Sequence, residues 1–128
     1  MSLEAEFLLT LGELNETLRH QPISNSEVIP LIDLTLLDDT AGYEQLYSLG
    51  KKANLHQVAA VCVLPEHLEI IRHITTVKLA TVANFPSGNQ PHKEVLAAIE
   101  KTIINTKVDE IDYVFPYQDY LAKNNLPP

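Results

Sequence analysis

Four short apolar runs, separated by segments of helical periodicity, constrain the fold of this 128-residue chain more than any other feature. The runs are predicted strands at residues 28–36, 57–64, 77–85 and 108–115. Continuous apolar strands that alternate with helices are typical of parallel sheets with right-handed crossovers. The sequence therefore predicts an α/β fold, either an open doubly wound sheet or part of a (β/α)8 barrel.

The segments between the strands are predicted helices. An amphipathic helix is expected from Phe7 to His20, and a loop follows it at residues 21–26. Later helices are expected from about residue 43 to residues 51–54, and then at 66–74, 95–103 and 117–124. Asp38, Asp39 and Thr40 offer N-cap side chains for the first of these helices, and Pro65 fits the first turn of the second. The chain is thus a predicted single domain, residues 1–128, with an N-terminal helix and loop at 1–27 and four β/α units at 28–128.

Charge and composition limit which classes of binding partner and which cellular compartment this chain is expected to have. A formal net charge of -8 argues against nucleic acid and anionic membranes, because both select a basic face. No apolar stretch approaches the roughly 20 residues of a bilayer crossing, and the N-terminus lacks a signal-peptide pattern. The single cysteine, Cys62, excludes an internal disulfide and a cysteine-based zinc site, and it suits a reducing cytoplasm. The histidines are too scattered to predict a metal site.

Two aspartates, Asp33 and Asp112, lie inside the first and fourth predicted strands. An ionised carboxylate is costly in a strand buried on both faces unless it has a partner, and neither residue has a cation nearby in the sequence. Such carboxylates serve chemistry or a buried ion pair. The sequence pattern alone favours the structural interpretation for both. No glycine-rich dinucleotide motif follows any strand, and no Walker motif is present, so nothing specific supports nucleotide binding by an open sheet.

Four segments, in order and at suitable spacing, resemble deoxyribose-phosphate aldolase. They are residues 32–40 (IDLTLLDDT), 58–65 (VAAVCVLP), 80–88 (ATVANFPSG) and 109–117 (DEIDYVFPY). The resemblance extends from about residue 28 to the C-terminus. Two positions depart from the family's pattern: Ala83 stands where threonine is common, and Tyr113 stands where a small aliphatic residue is usual.

The resemblance implies a class I aldolase on a (β/α)8 TIM barrel, of which this chain holds about the first four β/α units. The family cleaves 2-deoxy-D-ribose 5-phosphate to D-glyceraldehyde 3-phosphate and acetaldehyde through a lysine Schiff base, without metal or other cofactor. The iminium accepts the electrons of the breaking carbon–carbon bond, and carboxylates move protons. By the resemblance, Asp112 matches the proton-relay aspartate and Asp33 its supporting aspartate. Cys62 and Asn84 fall beside the substrate pocket.

The resemblance also implies that the nucleophile is missing. The family's Schiff-base lysine and its companion lie on the sixth and seventh strands of a barrel of about 250 residues. No lysine here follows the apolar run of a strand, and Lys78 opens the third strand at the wrong end. We therefore expect no Schiff-base lysine in this chain and no activity from the chain alone. The alternative is a non-catalytic half-barrel that acts as an assembly or binding module.

A half-barrel has open edges at its first and fourth strands, with unpaired backbone groups and exposed apolar surface. We therefore expect a homo-oligomer, or assembly with a complementary C-terminal half, through the strand of Asp33 or that of Asp112. A sugar phosphate is the expected small-molecule partner, and the cytoplasm the expected location. Structural interpretations remain open for two other residues: Cys62 as a small core hydrophobe, and Asn84 as a partner for loop backbone groups.

Overall fold

The computed structural model describes residues 1–18 and 22–122, which form one four-stranded parallel sheet with flanking helices. The strand order β1-β2-β3-β4 follows the chain, with β1 at Asp33–Leu36, β2 at Ala60–Val63, β3 at Lys78–Ala83 and β4 at Glu110–Tyr113. All three neighbouring pairs are parallel, with Thr35 opposite Cys62 and Val82 opposite Asp112. The predicted series of four β/α units is confirmed.

Six α-helices accompany the strands within the described residues. They are α1 (Leu3–Leu18), α2 (Asn25–Val28), α3 (Tyr43–His56), α4 (Leu68–Ile71), α5 (His92–Asn105) and α6 (Tyr117–Leu121), and 3-10 turns lie at Ile29–Leu31 and Pro65–His67. The predicted helices are all present, with shifted ends. His20, the predicted end of the first helix, and the predicted last residues of the final helix lie outside the described residues.

The first half of the first predicted strand is helical, so that part of the prediction was wrong. The carboxylate of Glu27 accepts hydrogen bonds from Ser24 N and Ser24 Oγ, at 2.9 and 2.7 Å, and these bonds fix the start of α2. Pro30, which has no N–H for a sheet ladder, then lies in the 3-10 turn. The strand therefore begins only at Asp33.

The predicted cap at Asp38, Asp39 and Thr40 was also wrong. Gly42 is the N-cap of α3, and its N–H donates to Gln45 Oε1 at 2.9 Å. Asp38 closes a tight turn before the helix instead, because its Oδ1 accepts from Thr40 N at 2.8 Å and from Thr40 Oγ1 at 2.7 Å. These two hydrogen bonds hold the pKa of Asp38 below its ordinary value.

Side chains alternate between the two faces of the sheet, and one face forms the main core. On this helix face, Val61 and Val63 of β2 pack with Leu46 of α3 and with Leu68 and Ile71 of α4, all without exposed surface. The other face carries the residues of opposite parity, and we call it the aspartate face. Its members are Asp33, Thr35, Ala60, Cys62, Lys78, Ala80, Val82, Glu110 and Asp112.

Burial differs sharply between central and edge strands. Every residue of β2 is buried, whereas most of β1 and β4 is exposed or half-buried. The interpretation of the two aspartate-containing runs, the first and the fourth, as strands buried on both faces was therefore wrong. Asp33 and Asp112 are exposed, because each lies in an edge strand that has one neighbouring strand in the part of the chain that the structure describes.

Helix α1 buries none of its residues. Its apolar side chains remain exposed, among them Leu3, Phe7, Leu8, Leu11, Leu14 and Leu18. None of the helices in residues 1–18 and 22–122 has the length and apolar character that spanning a bilayer requires. The packing of the sheet therefore depends on α3, α4 and α5 and not on this helix.

Asn54 of α3 fastens that helix to the loop before β3. Its Oδ1 accepts hydrogen bonds from Thr75 Oγ1 at 2.9 Å and from Thr76 N at 2.8 Å, while its Nδ2 donates to Ile74 O at 3.0 Å. The helix approaches this loop closely, because a Cβ at Gly50 would lie 2.6 Å from Ile74 Cγ2.

Replacing Asn54 with alanine is expected to lower the free energy of unfolding by about 1–3 kcal/mol, because it leaves Thr76 N and Ile74 O without their side-chain partners. Urea denaturation followed by circular dichroism measures the loss. Asn15→Ala on the exposed α1 is the matched control, and its unfolding free energy should change by less than about 0.5 kcal/mol. Equal stability of the Asn54 variant and the parent chain would contradict the fastening role.

Candidate functional site

Asp33, Cys62 and Asp112 converge on the aspartate face although they come from three different strands. The Sγ of Cys62 lies 4.0 Å from Asp112 Oδ2, with β3 between their strands. Adjacent strands are about 4.8 Å apart, so the side chains span two strand spacings. The contact requires a concave face, and Ala80, the β3 neighbour of Cys62, has only a methyl group there.

Thr35 belongs to the same cluster and was missed by the sequence reasoning. It lies opposite Cys62 in the β1–β2 ladder, and its Oγ1 donates to Asp33 O at 2.9 Å. Its hydroxyl also acts on the Cys62 thiol, whose pKa it tends to lower. A signal was present, because residues two apart on a strand share a face, and Asp33 had already been singled out.

Negative charge dominates this concave surface. Asp33, Glu110 and Asp112 contribute three carboxylates, whereas Lys78 contributes one ammonium, which pairs with Glu110 at 3.2 Å. The pKa of Asp33 lies above its ordinary value, chiefly because it loses hydration and also because Glu110 and Asp112 repel its charge, although Lys78 opposes the shift. A cationic group entering this face would therefore be favoured.

The Cys62 thiol is not activated for nucleophilic attack. It is 2% exposed, and burial raises its pKa to about 11, with further contributions from Asp112 and Asp33 and an opposing one from Thr35. A thiol attacks as thiolate, and almost none is present at neutral pH. Cys62 therefore contributes a small neutral surface between the carboxylates.

The lysines among the described residues lie away from the carboxyl ends of the strands. Lys51 and Lys52 are in α3, Lys93 and Lys101 are in α5, and Lys107 lies between α5 and β4. Lys78 is the first residue of β3 and therefore lies at the amino end of that strand, where its ammonium pairs with Glu110. Within residues 1–18 and 22–122, therefore, no lysine stands at the end of the sheet where barrel active sites form.

Asn84 directly follows β3 at its carboxyl end and is 4% exposed. Both polar atoms of its side chain bond backbone groups: Nδ2 donates to Val114 O, and Oδ1 accepts from Gln90 N, each at 2.9 Å. Beside it, a hollow of about 500 Å³ opens across the ends of the first three strands. Its lining residues are Leu37, Asp38, Asp39, Leu64, Phe85 and Pro86.

A second cavity of about 340 Å³ lies under α5, with Thr81 and Ile111 of the helix face in its lining. Neither Asp33 nor Asp112 borders this cavity, so it is separate from the carboxylates of the aspartate face. In the part of the chain that the structure describes, no group of three or more histidine, cysteine, aspartate or glutamate side chains is arranged to hold a metal ion.

The fold is similar to solved aldolase structures. A putative deoxyribose-phosphate aldolase from Coccidioides immitis superposes with a TM-score of 0.73 at 23% identity, over 96% of this chain and 52% of that one. The aldolase QR15 gives 0.70 at 21% identity, over 76% and 44%. The deoxyribose phosphate aldolase from Aeropyrum pernix, described as a unique tetrameric structure, gives 0.64 at 23% identity, over 74% and 42%. No protein-family model matches the sequence.

These comparisons confirm the predicted resemblance and fold class. The chain spans about half the length, or less, of the solved structures that it matches. Its four parallel strands correspond to part of an α/β TIM-barrel architecture, with the aspartate face on the concave side. Catalytic, substrate-pocket and nucleophile assignments stay predictions at this point, because similarity at this level of identity establishes the fold alone.

Replacing Asp112 with asparagine is expected to lower the pKa of the Cys62 thiol from about 11, because the substitution removes the largest of the charges that raise it. The value should remain above the ordinary value of about 8.5, since burial is the larger cause. The pH dependence of alkylation by iodoacetamide measures this pKa. Glu110→Gln on the same strand is the control and should leave it unchanged. An unchanged titration in Asp112→Asn would show that the carboxylate does not influence the thiol.

Proposed function

We propose that this chain supplies one half of a deoxyribose-phosphate aldolase, with the aspartate face as its share of the active site. The observation that carries the proposal is the convergence of Asp33 and Asp112 on the concave side of a sheet similar to those of solved aldolases. The proposed reaction is cleavage of 2-deoxy-D-ribose 5-phosphate to D-glyceraldehyde 3-phosphate and acetaldehyde. The Schiff-base lysine comes from strands that complete the barrel.

The proposed chemistry needs groups that move protons around a lysine imine. A base removes the proton from the substrate hydroxyl whose carbon becomes the released aldehyde. The carbon–carbon bond then breaks, and its electron pair passes into the iminium to form an enamine. Protonation of the enamine and hydrolysis of the resulting imine release acetaldehyde and regenerate the lysine. Asp112 is the proposed proton-relay carboxylate, and Asp33 supports it from β1.

The electrostatics of the aspartate face support this assignment. Three carboxylates face one lysine that already pairs with Glu110, so Asp33 and Asp112 have no cation of their own among the described residues. The positively charged iminium formed on a lysine from added strands would be stabilised by this field and would bring the two aspartates a cationic partner. Cys62 remains the proposed neutral wall of the pocket, and Asn84 its border at the end of β3.

Borohydride trapping with the substrate tests the proposal. The chain alone is expected to give neither cleavage nor a trapped imine, because the proposed nucleophile lies elsewhere. After addition of a polypeptide that carries the remaining strands of a deoxyribose-phosphate aldolase barrel, we expect cleavage, and borohydride should trap the imine on the added polypeptide. Asp112→Asn should lower the restored rate by about 10²–10⁴-fold. Asp119→Asn on α6 is the matched control and should retain the rate.

Each contrary result has a definite meaning. Turnover by the purified chain alone would show that a lysine within it forms the imine. A restored rate that Asp112→Asn leaves unchanged would make this aspartate structural. Stable association with the added polypeptide but no cleavage would favour the alternative function, a non-catalytic half-barrel that serves as an assembly module.

The open edges of the sheet support assembly as part of the proposed function. Strands β1 and β4 each pair on one side only within the described residues, and such edges bind other chains unless they are covered. A second copy that closed the barrel would oppose a like set of three carboxylates and one ammonium, so the carboxylates would repel. A complementary half with cations on its concave side fits this face better than a second copy does.

The chain alone is expected to form a dimer or larger oligomer at micromolar concentration, measured by sedimentation velocity. Added salt should strengthen any association that brings two aspartate faces together, because it screens their repulsion. The double substitution Asp33→Asn and Asp112→Asn should remove that salt dependence, whereas Glu4→Gln and Glu6→Gln on α1 should retain it. A monomer with slow amide exchange in both edge strands would contradict the half-barrel interpretation.

A further inference from the structure

The side chain of Asn84 joins three segments at the carboxyl end of the sheet. Its Nδ2 donates to Val114 O just beyond β4, and its Oδ1 accepts from Gln90 N near the start of α5. Its backbone oxygen accepts from Gly88 N at 2.8 Å inside the intervening loop. Because Asn84 is 4% exposed, water does not compete freely for these hydrogen bonds.

The backbone conformation of Asn84 explains why a side chain, and not the main chain, makes the hydrogen bond to Val114 O. Its φ of 57° is left-handed and ends the extended backbone of β3 directly after Ala83. The last backbone bond between the strands runs from Val114 N to Ala83 O at 3.0 Å. The carbonyl oxygen of Val114 then accepts a hydrogen bond from the side-chain amide of Asn84. Asparagine tolerates this conformation better than most residues, and glycine would adopt it without offering a donor.

Strand β4 depends on such bonds because it is an edge strand with β3 as its neighbour. Near its start, Asp109 Oδ2 accepts from Leu79 N at 2.8 Å. Just beyond its end, Asn84 donates to Val114 O. The two side-chain bonds bracket Asp112, which lies between Asp109 and Val114 in the sequence. Loss of the second bond would release the part of β4 nearest to the carboxyl end.

The loop after Asn84 reinforces this arrangement. Gly88 has a φ of 73°, and a Cβ at that position would lie 2.7 Å from Phe115 O and 3.0 Å from Val114 Cγ1. The loop backbone therefore lies directly against the continuation of β4. Gln90 Nε2 also donates to Phe85 O at 3.3 Å, which closes the loop on itself. Asn84 thus anchors both the loop and the strand end that the loop touches.

We propose that Asn84 is a positioning residue that fixes the end of β4 and thereby sets the distance of the Asp112 carboxylate from the rest of the aspartate face. The catalytic meaning of this role rests on the proposed aldolase function, in which Asp112 relays protons. The positioning itself is a property of the sheet. Asn84 would then serve the substrate pocket without touching the substrate.

The Cys62 thiol provides a reporter for this position, because burial, Asp112 and Asp33 raise its pKa to about 11 while Thr35 opposes them. Asn84→Gly permits the same backbone conformation but removes both side-chain bonds. We expect the thiol pKa to fall below about 11, since the carboxylate moves away. We also expect the amide of Val114 to exchange at least about tenfold faster, since the strand end opens more often.

Two further variants separate positioning from general destabilisation. Gln57 also has a left-handed backbone, with a φ of 52°, and its Nε2 bonds Asn54 O at 2.6 Å at the other end of the sheet. Gln57→Gly should therefore leave the thiol pKa unchanged, whatever its effect on the urea midpoint. In a chain that already carries Asp112→Asn, Asn84→Gly should produce no further fall in the thiol pKa. The Asp112 charge, which the Asn84 substitution would otherwise move away from the thiol, is absent from that chain.

An unchanged thiol pKa in folded Asn84→Gly would overturn the proposal, and so would a fall of equal size with and without Asp112. If Asn84→Gly does not fold, Asn84→Ser provides the same comparison, because its side chain is too short to reach both backbone partners. The titration uses the chain alone and needs neither substrate nor added strands. Its outcome is therefore independent of whether the completed barrel cleaves deoxyribose phosphate.

Discussion

The one-sided pairing of β1 and β4 is the constraint on which the rest of this structure depends. The central strands β2 and β3 have hydrogen-bonding neighbours on both sides. Helices α3 and α4 bury Val61 and Val63 on the helix face of β2, and Ala60 and Cys62 are buried on the other face among their neighbours. Among residues 1–18 and 22–122 the edge strands have no outer neighbour, and they stay largely exposed. Side chains compensate for the missing pairing at the ends of β4, through Asp109 at the start and Asn84 beyond the end.

The same constraint explains how carboxylates are tolerated in strands of this type. Asp33 and Asp112 lie in the edge strands, where water still reaches them, while the corresponding layers of β2 and β3 hold Ala60, Cys62, Ala80 and Val82. Small side chains in the middle of the concave face allow Cys62 and Asp112 to approach across β3. The arrangement concentrates negative charge at the sides of a surface whose centre is neutral.

Much of this arrangement could be predicted from the sequence, because it follows from periodicity. Apolar runs located four strands, and helical spacing located the helices between them. The family resemblance, and not periodicity, assigned Asp33 and Asp112 to one site, and only the strand registers show that they share a face. Strand ends and caps could not be predicted, because competing local hydrogen bonds decide them: Ser24 with Glu27 begins a helix inside an apolar run, and Asp38 closes a turn instead of capping α3. Burial of the edge strands depended on neighbours that no local pattern specifies.

The raised pKa of Asp33 connects these observations to assembly. A carboxyl group whose pKa is higher in the folded than in the unfolded chain contributes stability that is fully present below the unfolded value, about 3.9, and is lost as the pH rises through the folded value. At neutral pH the ionised Asp33 therefore disfavours the fold of the chain alone, through lost hydration and repulsion by Glu110 and Asp112. A cation placed on the concave face would oppose this contribution, because it would lower the same pKa. The aspartate face thus favours a basic partner over a neutral one, so the charges proposed for catalysis would also favour completion of the proposed barrel.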